Sequence, residues 1–170
     1  MNSSLSNLLA HELGDELAQA LERIKYCLDQ LSDSQVWQRP TAKMNSIANL
    51  MLHLVGNIRL WIVAGVGGAA DERQRQAEFD DRSGMPKAEL WRKLETTVAE
   101  ATAAMARTVP GEWERSRRIQ GFEATGLGAA IHSVAHFRGH TQEIIHLART
   151  ILGDAYRFAF VPTTKEQGAV

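Results

Sequence analysis

Gly126-Leu-Gly-Ala-Ala-Ile-His132-Ser-Val-Ala-His136-Phe-Arg-Gly-His140-Thr-Gln-Glu143-Ile-Ile-His146-Leu-Ala-Arg-Thr-Ile-Leu-Gly153 holds four of the chain's six histidines. It reads as one long helix, with Thr125 placed to cap its start. His132, His136 and His140 recur every four residues, so each stands about 40° round from the last, one turn further along a single face. Two imidazoles at i and i+4 can share a metal ion. A lone histidine on an apolar face is ordinarily a core or surface residue with one hydrogen bond, and His11 and His146 read that way. Three within nine residues, in a chain with six, read as coordination, because unpaired buried imidazoles cost stability and add nothing to packing. All three together span about 80° of the face and roughly 12 Å of rise, too far for one ion to engage equally. Spacing alone leaves open whether the pair 132/136 or the pair 136/140 binds.

A partner for that pair lies upstream. Asn45 or Ser46 can cap a helix that runs through Ile47-Ala-Asn-Leu-Met-Leu-His53-Leu-Val-Gly-Asn57-Ile-Arg-Leu-Trp-Ile-Val63 to the glycines at 65, 67 and 68. It is apolar nearly all round and is expected to be central. His53 in its middle would alone be structural; facing a second helix that carries a histidine ladder, it becomes the third ligand. Asn57, one turn later, needs a polar partner and is a candidate to hold a bound water or substrate. Glu143, one turn past His140, is a candidate to orient a ligand histidine or act as a base, and its register equally allows an ion pair with Arg138 or Arg149.

The remaining segments extend the helical pattern. Across residues 4–31, Leu5, Leu9, Leu13, Leu17, Leu21, Ile24, Leu28 and Leu31 recur at threes and fours, an amphipathic helix stopped by Ser32-Asp33-Ser34. Trp37-Gln-Arg-Pro40 leaves helical geometry. Pro86 suits the first turn of another helix, through Leu90, Trp91, Leu94, Val98, Ala101 and Met105 to Val109, ended by Pro110-Gly111. Residues 66–86 form a polar connection, long enough to suggest a cover over something. Arg73, Arg75, Glu78 and Arg82 within it could face a ligand, although a charge run is more often a solvated face. Residues 112–124 read as loop with a short extended piece. After Gly153 no periodicity is left; Phe158 and Phe160 are expected to lie against the helices, and residues 163–170 to fray.

Composition narrows the function. A length of 170 residues suits one domain (1–170, ordered core about 4–152, tail 153–170), and a net charge of -1 provides no field to hold nucleic acid or a membrane surface. The expected partner is a small molecule. A single cysteine, Cys27, reads as a buried thiol and fits a reducing compartment. The start lacks the pattern of a secretory signal, and no stretch reaches the ~18 apolar residues of a membrane span; the expected location is the cytoplasm. Paired Glu-x-x-His motifs, His-Glu-x-x-His and a phosphate-binding glycine loop are all missing, which argues against ferritin-like oxidation, peptidase chemistry of that type and nucleotide binding. Three neutral imidazoles without a thiolate make a site with an open position, suited to Zn²⁺, Ni²⁺, Co²⁺, Fe²⁺ or Mn²⁺. Such a site activates water or a thiol.

Leu52-His53-Leu54-Val55-Gly56-Asn57 and His132-Ser-Val-Ala-His136-Phe-Arg-Gly-His140 together resemble the DinB/YfiT-like superfamily, with one histidine in the second helix and a His-x-x-x-His pair late in the fourth. The resemblance runs from Ser4 to about Leu152 and looks like an uncharacterised branch. It implies an all-α fold, a four-helix bundle of the DinB/YfiT-like type. It implies His53, His136 and His140 as metal ligands, with His132 outside the first shell. Members usually follow the last histidine with Arg-Gly-Gln, where this chain has Thr141-Gln142-Glu143 and carries Arg138-Gly139 before it. Relatives include transferases that use low-molecular-weight thiols, mycothiol-dependent isomerases and proteins proposed as metal-dependent hydrolases, many of them dimers. The resemblance therefore implies a metal-dependent thiol S-transferase or hydrolase, working as a homodimer on a small molecule; the alternative is a non-catalytic metal-binding or stress-associated helical protein.

Overall fold

The structure, a computed structural model, describes residues 2–160. They form seven α-helices and one two-stranded hairpin, so the chain is mainly helical as its periodicity predicts. Expectations for residues 163–170 lie outside the described part.

Helix α1, Ser3–Leu28, is capped by the Asn2 side chain, which accepts from the Leu5 amide at 2.9 Å. Its buried face runs Ser6, Ala10, Gly14, Leu17, Ala20, Ile24 and Cys27, which differs from the leucine stripe over the first turns: Leu5 is exposed while Ala10 is buried. Small residues let α1 approach its neighbour closely, and a methyl at Gly14 would stand 3.2 Å from Thr102. The helix ends at Leu28, three residues before the expected stop. Ser32 then starts α2, Asp33–Trp37, by a capping box with Gln35 instead of merely breaking α1.

Helix α3, Ile47–Ile58, begins at Ser46, whose hydroxyl accepts from the Asn49 amide while Asn49 reaches back to Ser46. It continues through one π-helical stretch, Arg59–Ala64. The 18 residues Ile47–Ala64 do meet the length and apolarity of a membrane-crossing helix, which corrects the expectation that no stretch does; 67% of them are buried within the protein, as a central helix requires. The polar connection contains a short helix the sequence did not show, α4, Arg75–Asp80. Helix α5, Lys87–Ala106, follows Pro86 and ends earlier than expected. Pro110 opens α6, Pro110–Glu114, where it was expected only to terminate its predecessor. That short helix seats Trp113, whose indole donates to Ser6 Oγ at 2.7 Å and ties it to α1.

Strands β1, Ser116–Ile119, and β2, Phe122–Thr125, pair antiparallel around Gln120-Gly121. Both turn residues have positive φ, 51° and 83°, the geometry of a tight hairpin. Thr125 caps α7, Gly126–Leu152, as predicted. Helix α1 packs on α5 and α7, and α3 packs on the same two, so the core lies between these four long elements. Beyond α7, Tyr156 lies 3.9 Å from the Cys27 thiol. Burial raises both groups' pKa, that of Tyr156 to about 12. Phe158 meets Tyr156 edge to face and lies under Arg149, yet both it and Phe160 stay exposed, against expectation.

Candidate metal centre

One face of α3, carrying Asn49, His53 and Asn57, looks toward α4 and α7. Asn49 is fully buried. Its amide donates to the carbonyls of Glu78 (3.0 Å) and Asp81 (3.1 Å), and Arg39 donates to both Asn49 Oδ1 (2.8 Å) and the Phe79 carbonyl (2.9 Å). The end of α4 is thereby fastened to α3 one turn below His53.

His53 meets the α7 ladder. His53, His136 and His140 each offer a ring nitrogen, all within 4.8 Å of one another, and His53 Nε2 stands 2.8 Å from His136 Nε2. The rings of His136 and His140 lie edge to face, 4.5 Å between centroids. His132, one turn earlier, instead lies against Trp61, 4.2 Å between centroids. The structure thus groups 136 and 140, not 132, with His53. His11 pairs with Asp15 on the exposed face of α1.

Two carboxylates hold the outer nitrogens. Glu78 Oε2 lies 2.9 Å from His53 Nδ1, and Glu143 Oε2 lies 2.7 Å from His140 Nδ1. Glu143 thus pairs with the histidine; Arg138 pairs with Glu16 instead. A carboxylate only accepts, so each favours the tautomer with the proton on Nδ1, in which the Nε2 lone pair is the one able to bind a metal. Asn57 accepts from Ser133 Oγ at 2.8 Å, which gives it the partner its burial demands.

Burial first, then the neighbouring His140, His53, His132 and Arg73, lower the His136 pKa to about 4, so this ring is neutral near pH 7. Burial alone would raise the Glu78 pKa, but hydrogen bonds and charge from Arg73 and His53 outweigh it and hold the carboxyl below its usual value. Arg73 grips Glu78 with two donors, Nε to Oε1 at 2.6 Å and Nη2 to Oε2 at 2.9 Å. Arg73 and Glu78 are therefore not part of a solvated face: their side chains are 5% and 10% exposed. Arg82 is exposed and donates to nearby carbonyls, as the charge-run reading expects. Arg75 stacks over Phe79.

Beside the histidines opens a cleft of about 500 Å³, lined among others by Asn57, Trp61, Arg75, Phe122, His132 and His136. That volume is in the range of small-molecule sites. Three imidazoles with two carboxylates behind them are a donor set that fits a borderline divalent cation.

Residues 5–165 match the model of a family described as "Protein of unknown function (DUF1572)". The chain belongs to that family. No curated protein matches it. Among solved structures, a conserved protein from Enterococcus faecalis is similar with a TM-score of 0.71 at 15% identity, over 85% of this chain and 97% of that one. At that identity the likeness concerns the fold.

Proposed function

We propose, with membership of that family as the premise, that this chain is a metal-dependent enzyme on a four-helix bundle of the DinB/YfiT-like type. In this reading His53, His136 and His140 hold one divalent ion (Zn²⁺, Ni²⁺, Fe²⁺ or Mn²⁺), and the chemistry is thiol S-transfer or hydrolysis. The observation that carries the reading is the meeting of three imidazoles, from two helices far apart in sequence, two of which, His53 and His136, line a cleft of about 500 Å³. The packing of α1, α3, α5 and α7 supports the bundle.

The ion would supply a Lewis acid that makes a thiol or water acidic enough to react at neutral pH. The chain's own residues do the rest. Glu78 and Glu143 orient the ligand rings, Asn57, held by the buried Ser133, presents a polar edge to the cleft, and Trp61 and Phe122 give it apolar surface against which a small organic body can exclude water. A low-molecular-weight thiol is the proposed co-substrate, a homodimer the proposed assembly and the cytoplasm the proposed location. The first two rest on the family resemblance, the last on the lone buried Cys27.

The test is His136→Ala. Elemental analysis should show loss of the bound metal, and thiol-transfer or hydrolase turnover, assayed across small electrophiles and esters, should vanish with it. Unchanged metal stoichiometry in the variant sinks the reading.

A further inference from the structure

Gly56 lies inside α3, where glycine is a poor choice: it costs a helix interior roughly 0.5–1 kcal/mol relative to Ala. No turn or positive φ calls for it there. What occupies the space of its missing side chain is the Glu78 carboxyl group. A Cβ on residue 56 would overlap that group, standing 2.7 Å from Glu78 Cδ and 2.9 Å from Arg73 Nε. Asn49, His53 and Gly56 are one helical stripe, and α4 is held to it at all three levels: by Asn49 at its carbonyls, by His53 at the Glu78 carboxylate, and by Gly56 as clearance.

We infer that α4 is a docked carrier whose task is to deliver Glu78 to His53 Nδ1, with Gly56 as the notch that admits it, making Glu78 and Gly56 positioning residues for the metal centre. Chemistry says why delivery matters. Two groups compete for Nδ1: Glu78 can only accept its proton, and Arg73 Nη2, 3.2 Å away, can only donate to it. With Glu78 seated, Nδ1 carries the proton and the Nε2 lone pair faces His136 Nε2, 2.8 Å away, on the side where a metal would sit. With Glu78 displaced, the Arg73 donor is free to claim Nδ1, and the proton moves to Nε2, the nitrogen needed for a metal. The inference rests on the metal-site reading for its affinity consequence, but the tautomer consequence holds in the metal-free chain.

The experiment compares wild type, Gly56→Ala, Glu78→Ala and the double variant. Zn²⁺ affinity is read by competition with a chromophoric chelator, and the His53 tautomer by imidazole ¹⁵N shifts in the metal-free protein. Glu78→Ala should weaken Zn²⁺ by about ten- to a hundredfold and move the His53 proton to Nε2. Gly56→Ala, which adds one methyl and removes no contact group, should do the same, and the double variant should be no weaker than Glu78→Ala alone. Should Glu78→Ala fail to fold, Glu78→Leu, which keeps bulk but has no acceptor, takes its place with the same expected direction. Wild-type affinity and tautomer in Gly56→Ala, or losses that multiply in the double variant, overturn the inference. A tautomer change without any Zn²⁺ binding, even in wild type, would leave it standing and remove the metal reading instead.

Discussion

The lowered pKa of His136, about 4 against an ordinary 6.5, couples this one ring to folding. On acidification the unfolded chain takes up that proton first. The stability tied to the ring is therefore present above about pH 6.5 and lost as pH falls toward 4. Melting temperatures measured in chelator should drop across that window, and His136→Ala should flatten the drop; an equally steep profile in the variant would contradict it. The carboxylates beside the other two rings of the cluster differ in exposure. Glu143 is 43% exposed, against 10% for Glu78, so water can replace much of what it gives His140. Glu143→Ala should weaken Zn²⁺ by no more than about tenfold, less than Glu78→Ala, in the same chelator competition. At this scale the histidines were legible because i, i+4 spacing on a helix is a geometric statement that sequence makes directly. Glu78 was not: 25 residues from His53 and set among Arg, Gln and Asp, it has the composition of a solvated run, and only the tertiary dock of α4 separates it from Arg82.

Elements that turn several times announce themselves, and those that turn once do not. Helix α3 was readable because its twelve residues are apolar nearly all round, with Asn45 or Ser46 ahead of them to cap it, of which Ser46 does. Helices α2, α4 and α6, of five, six and five residues, are too short to show a period, and each is held by an outside contact. α2 is held by the Trp37 indole, which donates to the Met85 carbonyl at 2.9 Å, α4 by Asn49, and α6 by the Trp113 to Ser6 bond. The docking role of α3 can be tested by mutation against a control that removes only the cap hydroxyl, since Asn49 serves both the capping box and the dock. Ser46→Ala removes the cap hydroxyl and should cost about 1 kcal/mol, a fall in Tm of roughly 2–4 °C for a protein of this size. Asn49→Ala takes away the donors that hold the Glu78 and Asp81 carbonyls and should release α4. Limited proteolysis should then cut within residues 71–85 in that variant and spare them in Ser46→Ala. Equal resistance of the two would mean α4 is held by something other than Asn49.

Across the whole molecule the consequence is that two distant stretches of chain share one small volume. His53 and His136 are 83 residues apart in sequence, so an ion held between them acts as a cross-link of α3 to α7 in the folded state alone. Binding to the native state at a hundred times Kd adds about 2.7 kcal/mol, which for 150–250 residues is a rise in Tm of roughly 5–10 °C. Wild type titrated with Zn²⁺ should show it and His136→Ala should not. That rise belongs equally to an enzyme and to a helical protein that uses metal only as a brace, so stabilisation cannot decide between them. The cleft can. A reacting centre needs room for a small molecule to reach the ion, and the cleft of about 500 Å³ beside His53 and His136, walled by Trp61, Phe122, Asn57 and Gly128, is where such access is tested. Protein loaded with Co²⁺ should therefore gain a new absorption band when a low-molecular-weight thiol is added, and a bulky residue across the cleft, Gly128→Trp, should suppress that band without changing Co²⁺ stoichiometry. A spectrum indifferent to the thiol would assign the ion to bracing and leave the cleft without a role in it.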